Sequence, residues 1–269
     1  MSLSNSKSPG TAVVTGASSG IGEVYAQRLA ARGYDLLLVA RREDRLNALA
    51  TTLRVQHGVK VDVLAADLAD AAGITRVSDV LQGHDGITLL VNNAGTSSVD
   101  QVAQMSLESI TTLVTLNVIS LTALTRAVLP RFLEKNAGTI INIGSVVGFA
   151  GYGWVPVYGA TKAYVQNFTQ ALRLQLAESS IRLQYVAPSA TVSEIWDAMG
   201  ISTNSLGEGV LMTTENCVDA ALKGLDAGEF ITAPSVHDPA LVKSFEDAAT
   251  ALLASTQTSV PAPRYGLSS

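Results

Sequence analysis

The strongest constraint this chain places on its own fold is the alternation of short β-branched runs with long amphipathic stretches. Strand candidates are Thr11–Thr15, Leu36–Ala40, Val59–Ala65, Thr88–Val91, Thr139–Ile143, Ile181–Val186 and Phe230–Thr232. They are largely apolar at successive positions, as expected of strands covered on both faces by helices. Helical periodicity lies between them, over Ile21–Arg32, Arg42–His57, Ala72–Gln82, a long stretch near Val102–Lys135, and Tyr158–Glu178. This order predicts an α/β fold doubly wound about a mostly parallel sheet. Right-handed crossovers then gather the loops that follow the strands along one sheet edge, where ligands bind.

Composition agrees with a large core: 47% of the 269 residues are hydrophobic and 15% charged. The length suits a single domain, expected over residues 11–254, with a flexible polar N-terminus over 1–10 and a Ser/Thr/Pro-rich arm over 255–269. Eighteen basic and 23 acidic residues give a net charge of −5, and the absence of a dense basic run speaks against a nucleic-acid partner. The single cysteine, Cys217, has no internal disulfide partner. His57, His84 and His237 are scattered and show no zinc-site spacing, so no metal is expected. Without a signal-like apolar leader or a run approaching ~18–20 unbroken apolar residues, the expectation is a cytoplasmic protein that does not span a membrane. Periodicity weakens after Pro188, and residues 189–213 mix Gly, Ser, Asn and Thr with isolated Trp196, Met199 and Met212. An excursion of that length suits a substrate-binding lid.

The first strand runs into Thr15-Gly16-Ala17-Ser18-Ser19-Gly20-Ile21-Gly22 and then a helix. Glycines there permit a tight turn and let the backbone approach a pyrophosphate at the positive helix end. Taken alone, such a turn could be merely structural; its place after the first strand favours phosphate binding. The second strand ends in Ala40-Arg41-Arg42, where an NAD site would carry an acid. A guanidinium fork suits a 2′-phosphate, which points to NADP through Arg41 above all, although both arginines could simply be solvated helix-start residues. Asp67-Leu68 after the third strand could meet the adenine amine, and Asn92-Asn93-Ala94-Gly95 closes the fourth.

Tyr158 and Lys162 share one helix face at i, i+4 spacing. A phenol with a pKa near 10 is mostly protonated at neutral pH, and a close cation can lower it towards working range for acid or base catalysis. The pair by itself occurs by chance in many helices. Ser145, just after the strand Thr139–Ile143, adds a hydroxyl at the same sheet edge that could stabilise charge on a substrate oxygen. A serine nucleophile would need a His/Asp pair that is not nearby. Asn117, polar within an apolar helical run, reads either as a kink or as a core hydrogen-bonding group.

In order and spacing, Thr15–Gly22, Asn92–Gly95, Asn117, Ser145 and Tyr158-x-x-x-Lys162 resemble the motif set of the short-chain dehydrogenase/reductase family, in its compact branch and over nearly the whole chain. The resemblance implies a Rossmann-type, seven-stranded parallel sheet of order 3-2-1-4-5-6-7 and a metal-free hydride transfer. It also implies a tetrad: Tyr158 transfers the proton, and Lys162 holds the nicotinamide ribose and depresses the tyrosine pKa. Ser145 orients the carbonyl and Asn117 secures a water leading to Lys162. The implied cofactor site takes in Gly16, Ser18, Ser19, Gly20, Ile21, Gly22, Arg41, Arg42, Asp67, Leu68, Asn93, Ala94, Gly95, Tyr158, Lys162, Pro188, Ser189, Thr191 and Ser193. Ser189 stands where the family has glycine, which restricts the loop if φ > 0 is needed; either Thr191 or Ser193 could serve the nicotinamide amide.

Val146, Val147, Tyr152, Trp154, Trp196, Met199 and Met212 form either the substrate wall or ordinary core. With few charges among them, the expected substrate is a small, uncharged, moderately apolar ketone, aldehyde or secondary alcohol, handled with NADP(H). A homotetramer or homodimer on the long helices around Asn117 and Tyr158 follows from the resemblance. The rival reading is a non-catalytic NADP(H)-binding redox sensor, which would have no need of the tetrad.

Overall fold

The computed structural model describes residues 8–267; residues 1–7 of the expected N-terminal segment and 268–269 of the expected arm lie outside the described residues. Parallel strands β1 (Thr11–Thr15), β2 (Asp35–Ala40), β3 (Val61–Ala65), β4 (Ile87–Asn92), β5 (Thr139–Ile143), β6 (Arg182–Val186) and β7 (Ile231–Thr232) form one sheet. Their order is β3-β2-β1-β4-β5-β6-β7. Because β1 pairs with both β2 and β4, the winding reverses there and a crevice opens beyond the carboxyl ends of β1 and β4.

Alternation with period two sends the strand side chains to two separate cores. Val13 is in register with Leu37 on one side and Leu90 on the other, and the row continues through Ile140 to Leu183. All five are buried in one core, against Ile74 and Val77 of α3 (Ala71–Gly83), Leu124 and Val128 of α5 (Ser120–Glu134), and Leu172 of α6 (Pro156–Gln175). Ala12, Val14, Leu36 and Leu38 face the other way, onto Leu29 of α1 (Gly20–Ala31), Leu46 of α2 (Glu43–His57), and Val218 and Leu222 of α8 (Thr214–Asp226). Each fully buried aliphatic contributes about 1.5–3 kcal/mol. The short helix α7 (Ile195–Ala198) belongs to the excursion after β6.

Several expected bounds shift for identifiable reasons. The expected helix near Val102–Lys135 is broken: a 3₁₀ turn at Val102–Gln104 is followed by α4 (Leu107–Val114), a π turn at Thr115–Ile119, and α5. Ser106 starts α4 as an N-cap, accepting from Ser109 N–H at 3.1 Å. Helix α6 begins two residues before Tyr158, at Pro156, whose fixed φ suits a first turn, and ends at Gln175 rather than Glu178. Strand β3 starts at Val61, past the left-handed Gly58 that closes α2. The run Leu107–Glu134 is long and apolar enough to cross a bilayer by length and composition, which counting unbroken apolar residues missed. In this fold the stretch is partly buried, and α5 supplies Leu124, Ala127, Val128 and Phe132 to the core.

The compact unit that holds the sheet ends at Pro234, and residues from Ser235 form a second compact unit. This second unit carries α9 (Pro239–Ser255), N-capped by Asp238, and a 3₁₀ turn at Pro263–Tyr265. Helices α8 and α9 have no counterpart among the helices expected from periodicity, which their interspersed small and polar residues blur.

Candidate active site

The loop after β1 is folded tightly against the loop after β4. Gly16 has φ +67°, and a Cβ there would stand 2.7 Å from Asn93 Nδ2; a Cβ on Gly22 would meet Gly16 O at 2.4 Å. Asn93 donates from Nδ2 to Thr15 O at 2.8 Å. The Thr15 hydroxyl oxygen accepts from the N–H groups of Asn93 at 2.9 Å and Ala94 at 3.0 Å, and donates to Val91 O. Ser19, at the N-cap of α1, makes no side-chain capping bond, so the first N–H groups of the helix remain available to an anion.

Arg42 crosses this loop, donating from Nε and Nη2 to Ser18 Oγ at 3.1 and 3.0 Å and from Nη2 to Ser19 Oγ at 2.7 Å. Arg41 stands apart, its side chain 72% exposed and 3.9 Å from Asp67. Asp67 accepts from Ala69 N–H at 2.9 Å, while Leu68 and, in part, Ile21 are packed into core.

At the other end of the crevice, the π turn sets Asn117. Ser120 N–H reaches back five residues to Thr115 O, and the hydroxyls of Ser120 and Thr122 donate to Leu116 O at 2.6 Å and Val118 O at 2.8 Å. Such turns recur at functional sites. The buried Asn117 amide accepts from Thr96 N–H at 2.9 Å and donates to Thr96 O at 2.9 Å and Thr161 Oγ1 at 3.0 Å. Thr161 in turn donates to Tyr158 O at 2.7 Å, linking the turn to α6.

Ser145 follows β5 and is buried. The Tyr185 hydroxyl accepts from its N–H at 3.2 Å and donates to its carbonyl at 2.9 Å. The Ser145 side chain is hydrogen-bonded to Tyr158. Lys162, 5% exposed, donates to Ile143 O at 2.8 Å and lies 5.6 Å from the Tyr158 ring centroid. Behind them, Asn92 donates to Asn142 Oδ1 at 2.9 Å and Thr125 Oγ1 at 3.1 Å, and Asn142 donates to Thr169 Oγ1 at 2.9 Å.

The expected depression of the Tyr158 pKa is corrected. Burial pushes the phenol up to about 12, against a smaller lowering by its bond to Ser145. Burial also pulls Lys162 down to about 8. Desolvation dominates at both groups.

After β6, Pro188 O accepts from Val146 N–H at 3.0 Å and Ser145 Oγ at 3.4 Å. Among the described non-glycine residues Asn136 alone has a positive φ, so Ser189 in the family's glycine position carries no left-handed strain. Thr191 is buried and donates to Ser189 O at 3.0 Å; Ser193 is partly exposed and 3.4 Å from where a Gly20 Cβ would stand. Trp196 Nε1 donates to Thr191 O at 2.8 Å, and Met199, Met212, Val146 and Val147 are partly buried. Tyr152 and Trp154 are 54% and 67% exposed, which removes them from the core alternative.

The fold thus brings Asn117, Ser145, Tyr158 and Lys162 to one sheet edge beside the glycine-rich loop. Sequence reasoning missed Tyr185, Thr161 and Asn142. A tyrosine inside an apolar strand was the only available signal among them, since a buried hydroxyl needs a partner.

The residues fit a bound dinucleotide. Lys162 Nζ has three donors, of which the described residues take one, leaving two for ribose hydroxyls. Gly95 lies where a Cβ would stand 3.2 Å from Asn117 Oδ1 and 3.6 Å from Lys162 Nζ, so any side chain would crowd that approach. Fold and site define a dinucleotide-dependent oxidoreductase. The chain belongs to the short-chain dehydrogenase family, whose model matches residues 10–202. It is similar to a short-chain dehydrogenase from Sphingobium yanoikuyae solved in complex with NADPH, at 44% identity and a TM-score of 0.91 over 94% of this chain and 98% of that one. A bulky-bulky ketone specific alcohol dehydrogenase from Comamonas testosteroni matches at 39% identity and a TM-score of 0.88, over 96% and 99%. Among curated relatives, sulfoacetaldehyde reductase 2 of Chromohalobacter salexigens is 40% identical over 68% of this chain and 73% of its own length.

Proposed function

We propose that this NADP(H)-dependent oxidoreductase, which acts on small carbonyl or alcohol substrates, works chiefly as a ketone reductase with Tyr158 as its proton donor. The observation that carries this is the Tyr158–Ser145 hydrogen bond beside a Lys162 ammonium with donors to spare. With a pKa raised to about 12, the phenol holds its proton throughout the neutral range and gives it up only to a stronger base, which a reducing carbonyl oxygen becomes. NADPH, when bound, supplies the hydride for the carbonyl carbon.

Ser145 Oγ–H donates to the same carbonyl oxygen and sets its direction. Lys162 holds the nicotinamide ribose and, as a cation near the ring, stabilises the phenolate left when the proton departs. Asn117 positions α6 through Thr161. Arg42 with Ser18 binds the 2′-phosphate, Arg41 flanks the adenine edge with Asp67, and the partly exposed Ser193, rather than the buried Thr191, serves the nicotinamide amide. The exposed Tyr152 and Trp154, with Val147, Trp196 and Met199, offer an open apolar wall. That wall, and likeness to an alcohol dehydrogenase specific for bulky-bulky ketones, favour, within the small-carbonyl class, uncharged ketones with an apolar substituent on each side of the carbonyl.

The same reading places the enzyme in the cytoplasm with the NADPH pool and makes it a homo-oligomer. NADPH oxidation across a panel of ketones tests the chemistry. Tyr158→Phe is expected to lower kcat by roughly 10²–10⁴ with NADPH binding retained. Turnover undiminished in Tyr158→Phe would remove the tyrosine from the reaction.

A further inference from the structure

Glu194 is a carboxylate that hydride transfer does not require. It stands near the start of the excursion after β6, which is tied at its neck. Thr191 bridges Met212, Val192 N–H donates to Met212 O at 2.9 Å, and the Thr214 hydroxyl donates to Val192 O at 2.6 Å. Residues 193–211 therefore project as a loop from a fixed base, and Glu194 fastens that loop to the cofactor end. Arg42 Nη1 donates to Glu194 Oε2 at 2.6 Å, Arg45 Nη1 donates to Oε1 at 2.5 Å, and Ser19 adds a side-chain hydrogen bond. Arg42 directs its Nε and Nη2 donors to Ser18 and Ser19 in the glycine-rich loop.

Two guanidinium groups and the Ser19 hydroxyl around one carboxylate make an anion site. A carboxylate brings one charge and two oxygens to it. A phosphate monoester brings about −1.5 to −2 charges and three oxygens, so it competes for the same donors and is favoured. A ribose hydroxyl is neutral and cannot. Arg45 and Arg42 hold the Glu194 carboxyl down at about 2, so it is ionised at every pH at which the enzyme would work.

We infer that Glu194 is an internal occupant of the 2′-phosphate site, fastening the loop 193–211 to Arg42 and Arg45 until the 2′-phosphate of NADPH displaces it. This rests on the reading of Arg42 as a 2′-phosphate ligand. Cofactor recognition and loop release are then a single exchange of anions. NADH, with a hydroxyl in place of the phosphate, binds without releasing the loop. A ligand shifts such an equilibrium only through its different affinity for the two states, and here the phosphate alone supplies that difference.

Calorimetric titration of adenosine 2′,5′-bisphosphate, 5′-AMP, NADPH and NADH into wild type, Glu194→Gln and Arg42→Ala tests this. Glutamine keeps the shape and removes the charge, so Glu194→Gln is expected to bind the bisphosphate and NADPH about five-fold tighter, the scale of two half-exposed ion pairs. 5′-AMP and NADH should be unchanged. Unchanged or weaker bisphosphate binding by Glu194→Gln overturns the inference. Arg42→Ala separates the two readings. If it leaves the NADPH to NADH affinity ratio intact, Arg42 is no phosphate ligand and the site reading falls. If it lowers NADPH affinity selectively while Glu194→Gln gains nothing, the Glu194 inference alone falls. Hydrogen exchange over residues 193–211 gives an independent readout: faster with NADPH than with NADH in wild type, and equal in Glu194→Gln. Equal exchange in wild type also counts against the exchange of anions.

Discussion

Ser145 owes its direction to a residue that touches no substrate. The Tyr185 hydroxyl bonds both backbone polar groups of Ser145, and Phe149 meets the Tyr185 ring edge-on with centroids 5.9 Å apart. The backbone at Gly144 comes so near that a Cβ would lie 2.1 Å from the ring. Tyr185→Phe strands the Ser145 N–H in a buried place, a cost of about 1–3 kcal/mol. Melting should therefore fall by a few degrees. Because Ser145 loses its orientation, kcat should drop roughly tenfold with little change in KM, since small misplacements cost rate more than binding. A variant that melts lower with full kcat would make Tyr185 purely structural. The buried Asn92–Asn142–Thr169 chain acts similarly, tying β4, β5 and α6 together through side-chain amide and hydroxyl hydrogen bonds.

At the scale of elements, α6 carries Tyr158 and Lys162 into a desolvated place, and that choice is written into stability. The folded pKa of Lys162, about 8, lies below its ordinary value of 10.5. The cost of burying its charge is fully present below pH 8, declines as pH rises towards 10.5, and is gone above it. Lys162→Met removes that cost, offset in part by the lost bond to Ile143 O. Cofactor-free Lys162→Met should thus be more stable than wild type at pH 7, by about 1–2 kcal/mol, and the gap should narrow between pH 8 and 10. Denaturant unfolding at the two pH values measures it; a gap that widens with pH would show that the ammonium is not desolvated. The variant should also bind NADPH more weakly and turn over poorly. The π turn before α5 is a second local cost, met by the Ser120 and Thr122 hydroxyls, that leaves Asn117 facing Thr96 and Thr161.

For the whole molecule, the surface of α4, the π turn and α6 leaves apolar side chains in water. Ile119 is 50% exposed, with Val114 and Tyr164 also exposed, and Thr122 and Tyr164 oxygens lie 3.0 Å apart across the two elements. Exposed apolar side chains of this kind suit the contact surface of the proposed homo-oligomer, so the protein is predicted to sediment as a dimer or tetramer, with Ile119→Glu shifting it towards monomer. A wild type that sediments as a monomer would sink the oligomer reading.

How much of this could be read in advance depended on the range of the interactions. Strand positions, the glycine-rich turn and the Tyr158/Lys162 face follow from periodicity and residue type, which act over a few neighbours. The split of the long helix, the placement of α8 and α9, and the end of the sheet-bearing unit at Pro234 do not. Ser106 and the residues of the π turn were in plain view, but only tertiary partners make a break there cheaper than a continued helix. By itself the sequence determined the strands and the doubly wound class, because backbone preference and the alternation of apolar side chains are local properties; strand order and the tetrad entered as what the family resemblance implies. Tertiary structure alone decided that Tyr185 sets Ser145, that Glu194 meets Arg42 across 152 positions, and that burial raises the Tyr158 pKa although Lys162 lies nearby. Desolvation and long-range charge pairing depend on what surrounds a group in space, and chain neighbours do not specify that.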